Sequence, residues 1–108
     1  MLPGGLTLDE GVKAAKIIEK AGADAMDVSG GLVGHLHPTN TGPGFFIPQA
    51  SAVKKVVNVP VIGVGGIKTP EEADEIIRLG KVDLIAIGRA ILNDPEWASK
   101  AVKKLSEK

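Results

Sequence analysis

The sequence predicts an α/β chain built on a parallel sheet, with three short apolar strands alternating with four amphipathic helices. Three observations carry that expectation. The third strand segment, Val82 to Ile87, is apolar at nearly every position past its first turn, the pattern of a sheet covered on both faces. The segments between them repeat apolar residues at helical spacing and open on capping signals. A helix end, a tight turn and a strand recur in Ala21-Gly22-Ala23-Asp24-Ala25-Met26 and Leu79-Gly80-Lys81-Val82-Asp83-Leu84-Ile85. Such repeated units belong to a (β/α) barrel or to a doubly wound sheet.

In chain order, Thr7-Leu8-Asp9-Glu10 has capping-box spacing, and Val12, Ala15, Ile18 and Ala21 then form an apolar stripe that Gly22 closes. Ala23 to Val28 reads as the first strand, stopped by Ser29-Gly30-Gly31. From Leu32 to Gln49 there is no period but two His, three Pro and three Gly, which predicts a long loop. A short helix from about Pro48 carries Ala52, Val53, Val56 and Val57, and Val59 to Val64 forms the second strand, ending in Gly65-Gly66. Thr69, Pro70 and Glu72 open the next helix, with Ala73, Ile76 and Ile77 facing inward until Gly80. Val82 to Ile87 is the third strand, followed by Gly88-Arg89. Asp94-Pro95-Glu96 starts the last helix, whose inner stripe is Trp97, Ala98, Ala101, Val102 and Leu105. Three strands are too few to close a barrel, so both sheet edges need covering.

At 108 residues with 44% hydrophobic content, the chain fits one domain or a piece of one. Its 13 basic and 13 acidic residues balance, which removes a broad basic field for nucleic acid or an anionic membrane. Cysteine is absent, which excludes thiolate chemistry and disulfides and fits a reducing, cytoplasmic setting. No apolar run approaches the length of a membrane helix, and Met1-Leu2-Pro3-Gly4-Gly5 does not read as a secretion signal.

In a parallel α/β sheet, ligands sit beyond the C-terminal strand ends, and here all three ends carry glycine: Ser29-Gly30-Gly31, Gly65-Gly66 and Gly88-Arg89. Glycine lets backbone amides approach an anion, and a short helix over Ala90-Ile91-Leu92 would add its positive end. Arg89 adds a charge and a planar fork for phosphate oxygens. The plainer alternative is that the glycines only permit tight turns and Arg89 is a solvated surface residue. Glycine turns on consecutive strands favour the phosphate site.

Four stretches, Gly5-Leu6-Thr7-Leu8-Asp9-Glu10, Asp27-Val28-Ser29-Gly30-Gly31, Pro60 to Ile67, and Asp83 to Arg89 with Asp94-Pro95, together resemble the old yellow enzyme family. They follow the order and spacing of its last three barrel strands, weakest from Leu32 to Pro48, and look closest to its bacterial NADH-dependent flavin oxidoreductase branch. The resemblance implies an α/β fold that is a partial TIM (β/α)8 barrel, three parallel strands alternating with four helices over residues 1–108, completed by self-association or by a complementary segment. It also implies FMN at the barrel mouth, its phosphate held by Gly65, Gly66, Gly88 and Arg89, with Ser29 and Gly30 near the ribityl chain. The family's substrate-binding residues and proton-donating tyrosine come from earlier strands, and this chain has no tyrosine. The catalytic residues are therefore unknown, and the chain reads as an excised, ancestral or designed fragment, or as a subunit requiring a complement.

Other candidates compete with plainer readings. His35 and His37 could bind a metal but lack a third ligand, so no metal site is assigned. They could instead touch flavin or substrate, with a solvated loop as the default. Asp27 could be a general base, though acids at strand ends commonly bond nearby amides. Phe45 and Phe46 are better placed to stack on a flavin ring than Trp97, which falls on a helix stripe. Three functions remain open: an FMN-binding barrel fragment, an assembled NAD(P)H-dependent ene-reductase, or a barrel segment binding another phosphorylated metabolite.

Overall fold

The computed structural model describes residues 6–29, 44 and 46–107. Helix α1 spans Leu8–Lys20, and its capping box is formed: Thr7 Oγ1 accepts from the Glu10 amide at 3.2 Å, and Glu10 Oε1 accepts from the Thr7 amide at 2.9 Å. There follow strand β1 (Met26–Val28), helix α2 (Ile47–Lys54), strand β2 (Val61–Gly63), helix α3 (Pro70–Arg78), strand β3 (Leu84–Ile85), helix α4 (Arg89–Asn93) and helix α5 (Trp97–Ser106). The described helices number five rather than the expected four, because the turn after Arg89 is a separate element. Asp94 ends α4 with φ −145° and ψ 99°, an extended geometry favoured by the following Pro95. No described helix is long and apolar enough to cross a membrane.

The sheet is parallel throughout with order β1-β2-β3, pairing Met26 with Val61, Val28 with Gly63, and Gly63 with Ile85. The paired strands are shorter than the apolar runs that announce them. Backbone bonds extend the β2–β3 ladder from Asp83 N to Val61 O (3.0 Å) and from Ala86 N to Gly63 O (2.8 Å), so the runs are strand-like beyond their paired centres.

Helix α2 packs on β2 and β1, α1 packs on α2, and α3 packs on β3 and α5. The core between them gathers Met26, Ile47, Ala50, Val53, Val57, Val61, Ile67 and Val82. Two carboxylates pin the strand entrances. Glu19 Oε2 accepts from the Asn58 amide and, at 3.0 Å, from the Val59 amide. Asp83 Oδ2 accepts from the Val61 amide at 2.9 Å, while Asp83 Oδ1 pairs with Lys54 Nζ at 3.1 Å.

The two faces of the sheet differ. Residues in register share a face. Val61 and Gly63 are buried on the face beneath α2, whereas Asp27, Ile62 and Leu84 form a row on the other. Of that row, Leu84 is 53% exposed and Ile62 only half-buried. The expected covering of both faces is therefore present on one side only, among the described residues. The helix stripes are narrower than expected too. In α1, Ala15 is buried and Val12 half-buried, but Ile18 is 54% exposed and Ala21 lies open. Ile77 of α3 is exposed, and in α5 Ala101 is buried while Ala98 and Val102 face outward. Positions 97, 101 and 105 form one line along α5 at intervals of four, and 98 and 102 are turned about 100° away from it.

Candidate functional site

Parallel pairing carries the ends of β1, β2 and β3 to one side of the sheet, so Ser29, Gly65-Gly66 and Gly88-Arg89 emerge together there. Gly65 has φ +123° and Gly66 φ +65°, so the β2 turn consists of two successive residues in backbone conformations that suit glycine. Gly65 is buried, and its carbonyl accepts from the Gly44 amide at 2.6 Å, which ties the segment entering α2 to this turn. Gly44 itself has φ +71° and directs its carbonyl to the Ile47 amide at 2.9 Å.

The β3 turn is built differently. Gly88 has φ −113°, is exposed, and a Cβ added there would meet nothing within 4 Å. Its carbonyl accepts from the amides of Ile91 and Leu92 at 3.0 and 3.2 Å, starting α4. Arg89 is exposed, and its guanidinium has no ion-pair partner among the described residues. Ser29 is exposed at the end of β1. Gly30, His35, His37 and Phe45 lie outside the described residues.

These features fit the phosphate end of a ligand: a side-chain-free turn, an adjacent open glycine and a guanidinium that no described residue pairs. Phe46 does not serve as a stacking platform, because it is 1% exposed and sits in the core at the start of α2. Trp97 is half-buried rather than core, and its indole Nε1–H donates to the Lys68 carbonyl at 2.7 Å. Asp27 is exposed on the open sheet face, and its carboxylate takes no hydrogen bond from a described residue. Among the described residues no three His, Cys, Asp or Glu gather to hold a metal ion.

Gly63, inside β2, has a packing role that the apolar run around it does not by itself reveal. A Cβ there would lie 2.6 Å from Ile47 Cδ1 and 2.9 Å from Val82 Cγ1, so the absent side chain lets α2 and the β3 run close onto β2. The available signal was a glycine inside an apolar strand, which marks a close approach. That packing sets the position from which the Gly65-Gly66 turn projects.

The NADH:flavin oxidoreductase / NADH oxidase family model matches residues 2–108. The chain belongs to this family. It is 44% identical over 102 residues to an NADH oxidase of Thermoanaerobacter brockii, covering 91% of this chain and 16% of that protein. An NADPH dehydrogenase of Geobacillus thermodenitrificans is 33% identical over 106 residues, covering 98% of this chain and 31% of that one. A bilirubin reductase of Mediterraneibacter gnavus is 35% identical over 103 residues, covering 90% and 16%. The chain thus spans between 16% and 31% of the length of these relatives. Membership in the flavin oxidoreductase family makes a flavin the cofactor against which the strand-end turns are to be judged.

Proposed function

We propose that this chain is the FMN phosphate-binding segment of a flavin oxidoreductase barrel. The observation that carries the reading is the placement of Gly65 and Gly66, at φ +123° and +65°, on the strand next to the one that delivers Gly88 and Arg89. Backbone amides at the glycine turns and the Arg89 guanidinium hold the phosphate, with Ser29 and Gly30 toward the ribityl chain. FMN, when bound, supplies the hydride chemistry. The chain's own part is to grip and orient.

FMN should bind well ahead of riboflavin, which lacks the phosphate. Arg89→Ala is expected to weaken FMN binding by about 1.5 to 3 kcal/mol, the range for a hydrogen bond to a charged group, and to leave riboflavin nearly unchanged. Flavin-fluorescence titrations check both. Equal affinity for the two flavins in the parent, or an unaltered FMN affinity in the variant, removes the phosphate site.

The half-covered sheet supports a further part of this reading. Among the described residues the parallel sheet leaves Ile62 and Leu84 on an uncovered face and its edges at β1 and β3 open, which calls for more barrel around it. A second copy or a complementary barrel segment supplies that cover, and an assembled barrel reduces electron-poor alkenes or quinones with NAD(P)H. A colourless preparation that instead binds another phosphorylated metabolite would favour the non-flavin alternative.

A further inference from the structure

The geometry points to Trp97 as a positioning residue that holds the β2 and β3 turns in fixed relation, a role whose functional consequence rests on the phosphate reading above. The indole Nε1–H donates to the Lys68 carbonyl at 2.7 Å, and the Lys68 amide donates to Glu72 Oε2 at 3.0 Å. Both backbone polar groups of Lys68, which follows Gly66 by two residues, are therefore held, one from α3 and one from α5. Ile67, between Gly66 and Lys68, is buried in the core.

The connection from the other turn is equally direct. Gly88 starts α4, and Asp94 closes it by donating its amide to the Ala90 carbonyl at 3.0 Å. Asp94 then organises the joint to α5: its carbonyl accepts from the Trp97 amide at 3.0 Å, Oδ1 accepts from the Glu96 amide at 3.0 Å, and Oδ2 pairs with Lys100 at 2.7 Å. A second tie, Lys104 Nζ to Glu71 Oε2 at 3.0 Å, fastens α5 along α3.

The strand ladder cannot do this work alone. The last described β2–β3 backbone bond, Ala86 N to Gly63 O, lies before either glycine turn. Beyond it, the spacing of the two turns is set by what their following segments grip, and a site that bonds one phosphate from both needs placement to about 0.5 Å. Trp97 joins those two segments. The plainer possibility is that the indole merely satisfies its N–H on a loop carbonyl, as partly buried tryptophans do, with no effect on the β3 turn.

Trp97→Phe separates the two, because it removes the donor and keeps a ring. In the ligand-free chain, amide hydrogen exchange is expected to quicken at Lys68 and also at Ile91 and Leu92, while the Met26 amide, bonded to Pro60 O, stays as it was. Quickening at Lys68 alone, or at none of these, overturns the proposal. In titrations the variant should lose roughly threefold to tenfold in FMN affinity, the worth of about one hydrogen bond, with riboflavin unmoved. Equal weakening of both flavins overturns the positioning role. A parent that shows no preference for FMN removes the phosphate reading instead, and the exchange result still decides the coupling. Should the variant fail to fold by circular dichroism, the parent reports directly through Trp97, its one tryptophan. Its emission should change saturably with inorganic phosphate against chloride at matched ionic strength; a flat response in a parent that prefers FMN to riboflavin overturns the proposal, and a flat response in a parent without that preference removes the phosphate reading.

Discussion

At the scale of single residues, the glycines of the two turns differ in what they answer to. Gly65 is buried with φ +123°, so a β-branched side chain there is strained in the folded backbone before any ligand arrives. Gly88 has negative φ and open space around it, so nothing in the fold itself demands glycine. A valine at each position should therefore give opposite signatures. Gly65→Val is expected to lose about 1 to 3 kcal/mol of stability from backbone strain, seen as a lower urea midpoint. Gly88→Val should unfold close to the parent yet bind FMN at least tenfold more weakly, since in the proposed phosphate site its Cβ would stand where the amide approaches the anion. A Gly88→Val variant with parental FMN affinity would move the ligand away from β3.

At the scale of elements, the entrances of the strands carry the electrostatics of the fold. Asp83 bonds the Val61 amide and pairs with Lys54, and these contacts, the backbone bond foremost, hold its carboxyl below the usual range. A carboxyl lowered in the folded state stabilises it above the unfolded value of about 3.9, and that stabilisation fades as pH falls through the lower folded value. Asp83→Asn should therefore be less stable than the parent at pH 7. The gap between their urea midpoints should close as pH drops below about 4. A gap that stays constant with pH would show that the Asp83 carboxylate contributes nothing as an ion. Asp94, held low by Lys100 and by the Glu96 amide, follows the same sign at the joint between α4 and α5.

For the molecule as a whole, apolar surface remains where a covered parallel sheet would have none. Ile17 is 69%, Leu84 53% and Leu92 82% exposed, spread over α1, the open sheet face and α4. Such surface, together with edges at β1 and β3 that no described strand pairs, favours association. Light scattering at micromolar concentration is expected to show a dimer or larger assembly, and a stable monomer would exclude completion by self-association. Turnover is a separate matter. The 108-residue chain has no tyrosine to act as proton donor, and general acid assistance is typically worth about 10² to 10⁴-fold, so alkene reduction should be slow even in the FMN-loaded protein. Efficient reduction of an activated alkene at the expense of NAD(P)H, read as NAD(P)H oxidation, would require another acid in the chain.

Local signals in the sequence determined the order of elements, the helix starts at Thr7 and Thr69, and the glycine-bearing strand ends, because caps, periodicity and turn residues act over a few neighbouring positions. They also carried the family, through short stretches whose order is itself sequence. Tertiary structure alone decided that Phe46 is buried, that Gly63 is a packing contact with Ile47 and Val82, and that Trp97 reaches Lys68 across 29 positions of chain. It also decided which apolar residues are covered. Ile18 and Leu84 satisfy the same pattern as Ala15 and Val82, but burial depends on a neighbouring layer that no local pattern records, and here one face of the sheet has none among the described residues.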